Sequence, residues 1–196
     1  MYRMFYNRDI GGDVLFILME PERKPTRTET KGIVSALYDG DDLVGINIQD
    51  LSKILKIKAK GMIFTPGEEL VNVVNHIIHR AGLPKLAYCT DSGYRVATVS
   101  NVEKLNDNFI IQMDNGGVTL TTITSHSNIK VGGQIVIALD GTIQYDGKTF
   151  KKHSIDNIPV ECHICEAKEL RIESDETGAF IVDGYKSGDD FYLAGE

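Results

Sequence analysis

The sequence predicts a small α/β domain at residues 1–87, followed by an all-β domain at residues 88–196. The first half contains strand-like segments and one strongly amphipathic helix, which together indicate an α+β domain. After Tyr88 the chain changes to short strands separated by turn residues, with no convincing long helix. The segment Leu83-Pro84-Lys85-Leu86 lies between the two patterns and is the expected domain boundary.

The N-terminal domain is expected to begin with strands. Residues 14–19 form a short run of branched and aromatic apolar residues, which is typical of a buried strand. Residues 33–38 and 43–48 indicate two further strands, joined at residues 39–42 by turn-forming side chains. Residues 20–30 are charged and contain two prolines, so we expect an exposed loop there.

The amphipathic helix is expected to begin at Thr65, because Thr65-Pro66-Gly67-Glu68 has the order of a capping box with a first-turn proline. Gly82 and Pro84 would end it. Its apolar face has helical spacing and consists of Leu70, Val73, Val74, Ile77, Ile78 and Ala81. His76 and His79 lie off that face, so solvent exposure is a simpler interpretation of them than metal binding.

The all-β domain shows five clear strands, at residues 94–102, 109–113, 118–124, 134–139 and 179–182. Asn115-Gly116 is the strongest hairpin signal, because both residues tolerate positive φ. Gly132-Gly133 and Asp146-Gly147 mark further turns. Short strands at this density indicate a small Greek-key barrel, a class that includes OB folds, although the pattern alone does not choose among such barrels.

Composition narrows the class of protein. Hydrophobic residues make up 42% of the chain and charged residues 25%, which fits a soluble globular protein and excludes a fibrous or disordered one. No apolar run approaches membrane-spanning length. Residues 1–7 lack the features of a secretion signal, so the cytoplasm is the expected location. Three cysteines, an odd count, give little support to a disulfide framework.

Charge is divided unevenly between the predicted domains. Residues 1–87 contain 12 Lys and Arg against 11 Asp and Glu, a net charge of +1, whereas residues 88–196 contain 9 against 17, a net charge of −8. Nucleic-acid binding depends on cations that contact phosphates and release counterions. An acidic domain must therefore concentrate its few lysines on one face, and tight nonspecific RNA binding is not expected.

Residues 96–170 resemble the tRNA-binding domain family, which includes appended domains of methionyl- and phenylalanyl-tRNA synthetases and free-standing tRNA-binding proteins. Five motifs in the family's order and spacing carry the resemblance: Val102-Glu103-Lys104; Asn128-Ile129 followed by Gly132; Ile135-Val136-Ile137-Ala138-Leu139 ending at Gly141; Asp146-Gly147-Lys148 with Lys151-Lys152; and Cys165-Glu166-Ala167-Lys168-Glu169-Leu170. The resemblance implies an OB fold, a five-stranded Greek-key barrel, with tRNA or other structured RNA as its ligand.

The N-terminal half is similar to the front domain of bacterial YtpR-type proteins. The similar motifs are Phe5-Tyr6-Asn7, Gly12-Asp13 and Gly45-Ile46-Asn47-Ile48. This similarity implies a free-standing bacterial protein.

Two segments depart from the family pattern where the family is thought to touch RNA. Leu105-Asn106-Asp107-Asn108 replaces a longer His-Pro-x-Ala-Asp loop, and Val160-Glu161-Cys162-His163 stands where the family has Ser-x-Gly-Met. The missing glycine and serine remove a close backbone approach and a small hydrogen-bonding group. These changes favour an alternative, in which the barrel has lost the RNA surface and serves homodimerisation or another protein contact.

The candidate nucleic-acid contacts are cationic and polar. Lys148, Lys151 and Lys152, with His153 beside them, form the densest basic cluster of the barrel half. The resemblance adds Asn128, His163 and Lys168 from matching or neighbouring family positions. A solvated hairpin edge, protected by lysines against strand pairing, is the alternative interpretation of the cluster. Tyr94 and Phe109 would supply stacking surfaces for bases. The simpler interpretation is that both are core residues of their strands.

Metal and catalytic chemistry have less support. Cys162 and Cys165 have C-x-x-C spacing, with Cys89 or His153 as further possible zinc ligands, but no second pair stands at partner spacing. Small buried thiols are the simpler interpretation. The acidic pairs Asp41-Asp42 and Asp189-Asp190 lie in turn or tail segments, where we expect their carboxylates to be solvated. No nucleophile, base and orienting group can be named together, so we expect no enzyme and no cofactor.

The sequence therefore predicts a non-catalytic tRNA-binding protein of the cytoplasm. The alternative is a degenerate OB module that forms a homodimer. Residues 183–196 form an acidic tail that is expected to be disordered and to repel RNA or screen the basic hairpin.

Overall fold

The computed structural model describes residues 2–193 and divides the chain into two compact units, Met1–Thr90 and Asp91–Glu196, called units 1 and 2 below. Strands dominate, as the sequence predicts. Within the described residues, no helix has both the length and the apolar character needed to cross a membrane.

Unit 1 is a six-stranded antiparallel sheet with one long helix. Its strands are β1 (Arg3–Tyr6), β2 (Val14–Leu18), β3 (Arg27–Lys31), β4 (Val34–Asp39), β5 (Asp42–Gln49) and β6 (Gly61–Ile63). They lie in the order β3-β4-β5-β2-β1-β6. The helices are α1 (Arg8–Gly11), a 3-10 turn (Leu51–Lys53) and α2 (Glu68–Arg80).

Helix α2 supplies the second layer of the unit 1 core. Val71, Val74 and Ile78 are its buried residues, and they join a cluster with strand residues such as Leu15 and Ile46. The helix prediction is confirmed, but the predicted N-cap is not. The helix begins at Glu68 with Gly67 as its N-cap, two residues after Thr65, and no side chain caps it. His76 and His79 are exposed, as expected.

The sequence prediction missed three strands of unit 1, β1, β3 and β6, and it placed a loop over most of β3. All five residues of Arg27–Lys31 are exposed, and they pair with β4 at the outer edge of the sheet. An edge strand without a buried face has no apolar alternation. The predicted loop at residues 20–30 is therefore wrong at its C-terminal end.

Unit 2 has eight strands: β7 (Tyr94–Leu105), β8 (Asn108–Asn115), β9 (Val118–Thr124), β10 (Gln134–Leu139), β11 (His153–Ile155), β12 (Ile158–Val160), β13 (Cys162–Ile164) and β14 (Ile181–Val182). Five of them form an antiparallel sheet in the order β13-β10-β7-β8-β9. β14 pairs with β10, and β11 with β12 forms a separate hairpin. A 3-10 turn (Ala167–Leu170) follows β13.

The two ends of the five-stranded sheet lie close together. The sheet is open between β9 and β13. Three hydrogen bonds nevertheless cross this opening. The backbone N–H of Glu161 donates to the Thr121 carbonyl at 2.9 Å, the Thr121 N–H donates to the Glu161 carboxylate at 2.9 Å, and the Thr122 hydroxyl donates to the Cys162 carbonyl at 2.7 Å. The sheet therefore curls around the apolar core that includes Ile111, Met113 and Ile135.

The β8–β9 hairpin turns one residue later than its sequence signal. Asn115 pairs with Val118, so the two-residue loop is Gly116-Gly117, with φ of 66° and 90°. Two consecutive positive φ values are what a tight hairpin requires, and glycine adopts them without a Cβ clash.

The acidic tail is ordered through residue 193. Asp190 accepts hydrogen bonds from the Ser92 backbone N–H at 2.8 Å and hydroxyl at 2.6 Å, and its carboxylate lies 2.9 Å from the Arg95 guanidinium. Phe191 and Tyr192 stack edge-on at 5.2 Å. The expectations of a disordered tail and of a solvated Asp190 are wrong for this stretch; residues 194–196 lie outside the described residues.

Candidate nucleic-acid interface

A groove of about 490 Å³ lies on unit 2. Three parts of the chain line it: the start of β8, the end of β9 with the residues after it, and the long β10–β13 connection with β13. The lining residues are Asn108, Thr122, Ile123, Thr124, Ser125, His126, Phe150, His153, Ile155, Val160, Cys162, His163 and Ile164. The groove thus brings together residues far apart in sequence, and below it is called the unit 2 groove.

Three histidines give the unit 2 groove its polar character. His163 lies 3.1 Å from both carboxylate oxygens of Glu169 through Nε2, and His126 Nε2 lies 3.8 Å from Glu166. His153 is exposed, and its Nδ1 lies 3.0 Å from the Lys151 carbonyl. Imidazoles held in this way present hydrogen-bonding edges and flat faces to the groove.

Phe150 supplies the aromatic surface of the groove. Its ring is half-buried, with centroids 6.2 Å from His153 and 6.4 Å from His163. Such a surface offers a stacking partner to an unpaired base, which every base can use because each has a π face. The sequence did not single out Phe150, although the basic cluster that it precedes marks the region.

Lys151 and Lys152 follow Phe150 and are both exposed. Among the described residues neither ammonium group forms an ion pair, and the Lys152 backbone N–H donates to Asp140 at 2.9 Å. Burial raises the pKa of the Cys162 thiol to about 12, with Glu161 also raising it and Lys152 lowering it. Lys151 and Lys152 are not lining residues themselves, but they lie in the chain between Phe150 and His153, which are.

Lys148 and Lys168 differ from this pair because each has a carboxylate partner. Lys148 Nζ lies 3.0 Å from Asp146, and Lys168 Nζ lies 2.8 Å from Glu166. The hydrogen bond to its partner raises the pKa of each lysine above its usual range. Both charges are therefore largely compensated, although both side chains are exposed.

Tyr145 and Arg171 form a further contact in this region, and no sequence pattern indicated either residue. The Arg171 guanidinium lies 5.7 Å from the centre of the Tyr145 ring. The Tyr145 hydroxyl is close enough to raise the pKa of Lys148 and of Lys168, after the larger effects of their carboxylate partners. Arg171 is therefore a further cation of this region, and its contact is with the ring of Tyr145.

Asn128 has a structural role in unit 2. Its amide nitrogen donates to the Ala179 carbonyl at 2.8 Å, and its amide oxygen accepts from the Ala179 N–H at 3.0 Å. Both groups of the amide are thereby engaged with one backbone position. Asn128 also leaves no room for a Cβ at Gly178, where its Oδ1 would lie 2.6 Å away.

The C-x-x-C segment does not form a paired thiol site. Cys162 points into the core, where its Sγ lies 3.8 Å from Met113 Sδ, and Cys165 donates to the His163 carbonyl at 3.8 Å. A three-residue group, His163, Cys165 and Glu169, does bring its ligand atoms within 4.8 Å of one another. Cys165 is fully buried, however, and burial holds the pKa of its thiol well above the usual range, which opposes the thiolate that a metal needs.

Glu169 is also committed within that group. Burial raises its pKa, but hydrogen bonds from His163 and from the Glu166 N–H at 2.7 Å outweigh burial and hold the pKa below its usual range. Its carboxylate closes a capping box on the 3-10 turn that carries Lys168.

Tyr94 and Phe109 belong to the protein interior. Tyr94 is 1% exposed and meets Tyr192 edge-on, and Phe109 packs against the core cluster. The core interpretation of these two aromatic residues is confirmed.

Comparison with known proteins gives one similarity to report. The chain is 31% identical over 94 residues to the phenylalanine–tRNA ligase beta subunit of Sulfurimonas denitrificans. The match covers 46% of this chain and 12% of that protein. No family model matches the chain.

Proposed function

We propose that unit 2 is a non-catalytic RNA-binding module of the OB type, and that it binds tRNA or a similarly structured RNA in the unit 2 groove. The position and lining of this groove carry the proposal. OB folds bind oligonucleotides on the face of their second and third strands and through the loops after the first and fourth strands. Here those elements are β8, β9, the β7–β8 turn and the β10–β13 connection, and all but the β7–β8 turn itself contribute to the lining.

The strand order supports this assignment of elements. β7, β8 and β9 are consecutive neighbours, β10 returns beside β7, and β13 lies beside β10. The bonds from Glu161 and Thr122 bring β13 toward β9. A five-stranded, partly open barrel of the Greek-key type has these adjacencies.

The chemistry of the groove suits a phosphate backbone with some unpaired bases. Lys151 and Lys152 supply positive charge that no carboxylate of the described residues offsets by an ion pair. Phe150 and the neighbouring imidazoles supply flat faces for stacking. Lys168, His163 and Lys148 lie on the same connection or on its flanks and contribute weaker, partly compensated contacts.

The similarity to a phenylalanine–tRNA ligase beta subunit supports tRNA as the ligand. The match covers too little of that subunit to assign the ligase reaction to this chain, and binding RNA in the groove requires no catalytic step. Burial keeps the Cys165 thiol beside His163 protonated, so this Cys-His-Glu group lacks an accessible nucleophile. The resemblance of unit 1 to YtpR-type front domains adds the proposal of a free-standing bacterial, cytoplasmic protein.

Binding of labelled bulk tRNA to the full chain at low ionic strength tests the proposal. We expect binding that weakens with salt, with a slope of about 0.7 to 0.9 in log–log terms for each phosphate contact. The double variant Lys151→Glu, Lys152→Glu should reduce both the affinity and the slope. The matched control is Lys130→Glu, Lys186→Glu, which changes charge equally at exposed lysines that, unlike Lys151 and Lys152, are not adjacent in sequence to a lining residue.

Absence of tRNA binding by the wild-type chain would refute the proposal. Equal loss in the groove variant and the control would also refute it, since the effect would then come from net charge alone.

Self-association is the second candidate, and one apolar side chain favours it. Ile155 lines the groove from the β11–β12 hairpin and is 45% exposed. A second copy of the chain that docks on this face would bury the exposed Ile155 side chain. Two results together would support this candidate. The chain would not bind tRNA, and light scattering would show a dimer that the Ile155→Ser substitution disrupts.

A further inference from the structure

We propose that unit 1 carries a second binding surface, which holds the phosphate backbone of single-stranded RNA; this inference rests on the RNA ligand proposed for unit 2. The surface is a groove of about 570 Å³ within unit 1. Its lining consists of Tyr6, Arg8, Asp9, Ser52 and residues 56–60. We call it the unit 1 groove.

A row of lysines forms one wall of the unit 1 groove. Lys56, Lys58 and Lys60 are exposed, whereas Ile57 and Ala59 between them are half-buried, and Ile57 packs against the core. Alternation of this kind points every second side chain to the same side of an extended chain. Neighbouring lysines of the row therefore lie about 7 Å apart along the backbone, as two extended residues span.

The lysine row is held at both ends. Before it, Asp13 accepts from the Ser52 hydroxyl at 2.6 Å, from the Ser52 N–H at 3.0 Å and from the Tyr6 hydroxyl at 2.9 Å. After it, Gly61 pairs with Tyr6 as β6 joins the sheet. A cationic segment fixed at both ends loses less conformational entropy when it binds than a free one.

Carboxylates offset only part of the positive charge. Lys60 lies 3.3 Å from Asp9, whereas among the described residues Arg8, Lys56 and Lys58 form no ion pair. Arg23 of the same unit is different, since it contacts Glu20, Asp39 and Asp42 within 3.2 Å. The unit 1 groove therefore presents three uncompensated cations in a unit whose net charge is only +1.

Protection of a sheet edge does not account for the row. Edge lysines deter pairing when they project from the edge strand itself, which is β6 here. Lys56 and Lys58 lie before β6, in a segment outside the sheet. A linear series of cations at regular spacing matches a linear series of phosphates.

Salt titrations of the full chain with an oligouridylate and with bulk tRNA test this inference. Lys56→Ala, Lys58→Ala should lower the log–log salt slope by about 1.4, since each phosphate contact on a single strand contributes about 0.7. At about 0.1 M salt the same change weakens binding roughly 25-fold. The matched control is Lys24→Ala, Lys85→Ala, two exposed lysines of unit 1 outside the groove, and it should change neither quantity beyond the effect of net charge.

Three outcomes separate the possibilities. A wild-type chain that binds neither RNA refutes the function proposed for unit 2 and this inference with it. A wild-type chain that binds, with an unchanged slope in Lys56→Ala, Lys58→Ala, refutes this inference alone. Loss of binding to phosphatidylserine vesicles in that variant, with RNA binding intact, would replace RNA by an anionic membrane and also overturn it.

Discussion

The two units differ in net charge, yet both leave part of their positive charge without ion-pair partners among the described residues. Unit 1 is almost neutral overall, yet it places Arg8, Lys56 and Lys58 on one groove without ion-pair partners among the described residues. Unit 2 is strongly acidic, and it pairs Lys148 and Lys168 with carboxylates while Lys151 and Lys152 stay unpaired. Net charge therefore says little about where a polyanion binds; the local pairing of each cation decides it.

The thiols provide the largest expected contrast between the units. Burial raises the pKa of Cys162 to about 12, so its thiolate fraction at neutral pH is about a thousandfold below that of a thiol at the ordinary value of 9.0. Cys89 in unit 1 is partly exposed. We expect a disulfide reagent to modify Cys89 alone in the native chain and all three thiols after denaturation. Rapid native labelling of Cys162 or Cys165, located by peptide mass spectrometry, would contradict the buried placement.

The Asp190 contacts should dominate the stability of unit 2. Asp190→Ala removes four hydrogen bonds and leaves Arg95, 17% exposed, with Asp91 as its one counter-ion among the described residues. Loss of one partner of a largely buried pair costs about 3 kcal/mol. Hydrogen exchange should therefore accelerate in unit 2 peptides and stay unchanged in unit 1. Asp183→Ala, an exposed acidic residue of the same tail, is the control.

Asp13 should play the corresponding part in unit 1. Asp13→Ala leaves the buried Tyr6 hydroxyl and the Ser52 N–H without their acceptor, which we expect to cost about 2 kcal/mol. Tyr6→Phe removes only one of the bonds and should cost about 1 kcal/mol. Urea unfolding measures both values. If the two variants are equally stable, Asp13 does not organise the lysine row.

Acid should produce the smallest effect, and it should act on both units. The Ser52 hydroxyl holds the pKa of Asp13 below its usual range, and hydrogen bonds hold the pKa of Glu169 below its own despite burial. A lowered folded-state pKa contributes stability that is present above the unfolded value, 4.5 for Glu169, and is lost as pH falls through the folded value. Glu169→Gln should remove the share of Glu169 in the stability loss between pH 5 and pH 3, whereas Asp114 and Asp146, whose pKa values are also lowered, keep theirs. An unchanged pH dependence in that variant would exclude Glu169 as a contributor.

The predictable parts of this fold are those with strong local patterns. β9 and β10 have the predicted bounds, and α2 was recognised from its apolar stripe. β3 and the β11–β12 hairpin escaped because their residues are mostly exposed and do not alternate. A short strand at an edge takes its structure from its neighbour, which no local pattern contains.

The site was predictable only in its charged part. The clustered lysines at 148, 151 and 152 stand out in the sequence, but the sequence does not show that Lys148 pairs with Asp146 while Lys151 and Lys152 stay unpaired. Phe150, in the β10–β13 connection, and His126, after β9, line the same groove. Asn128 forms hydrogen bonds with the backbone of Ala179. Such pairings are tertiary, and a single sequence does not encode them in its spacing.

Ultraviolet cross-linking of tRNA to the full chain, followed by peptide mass spectrometry, tests the central claim most directly. RNA bound in the unit 2 groove should cross-link within residues 122–126 and 148–163, with Phe150 and His153 as the main positions because their rings face the groove. Cross-links confined to other surfaces of unit 2, such as the exposed Gly116–Val118 turn, would contradict the account.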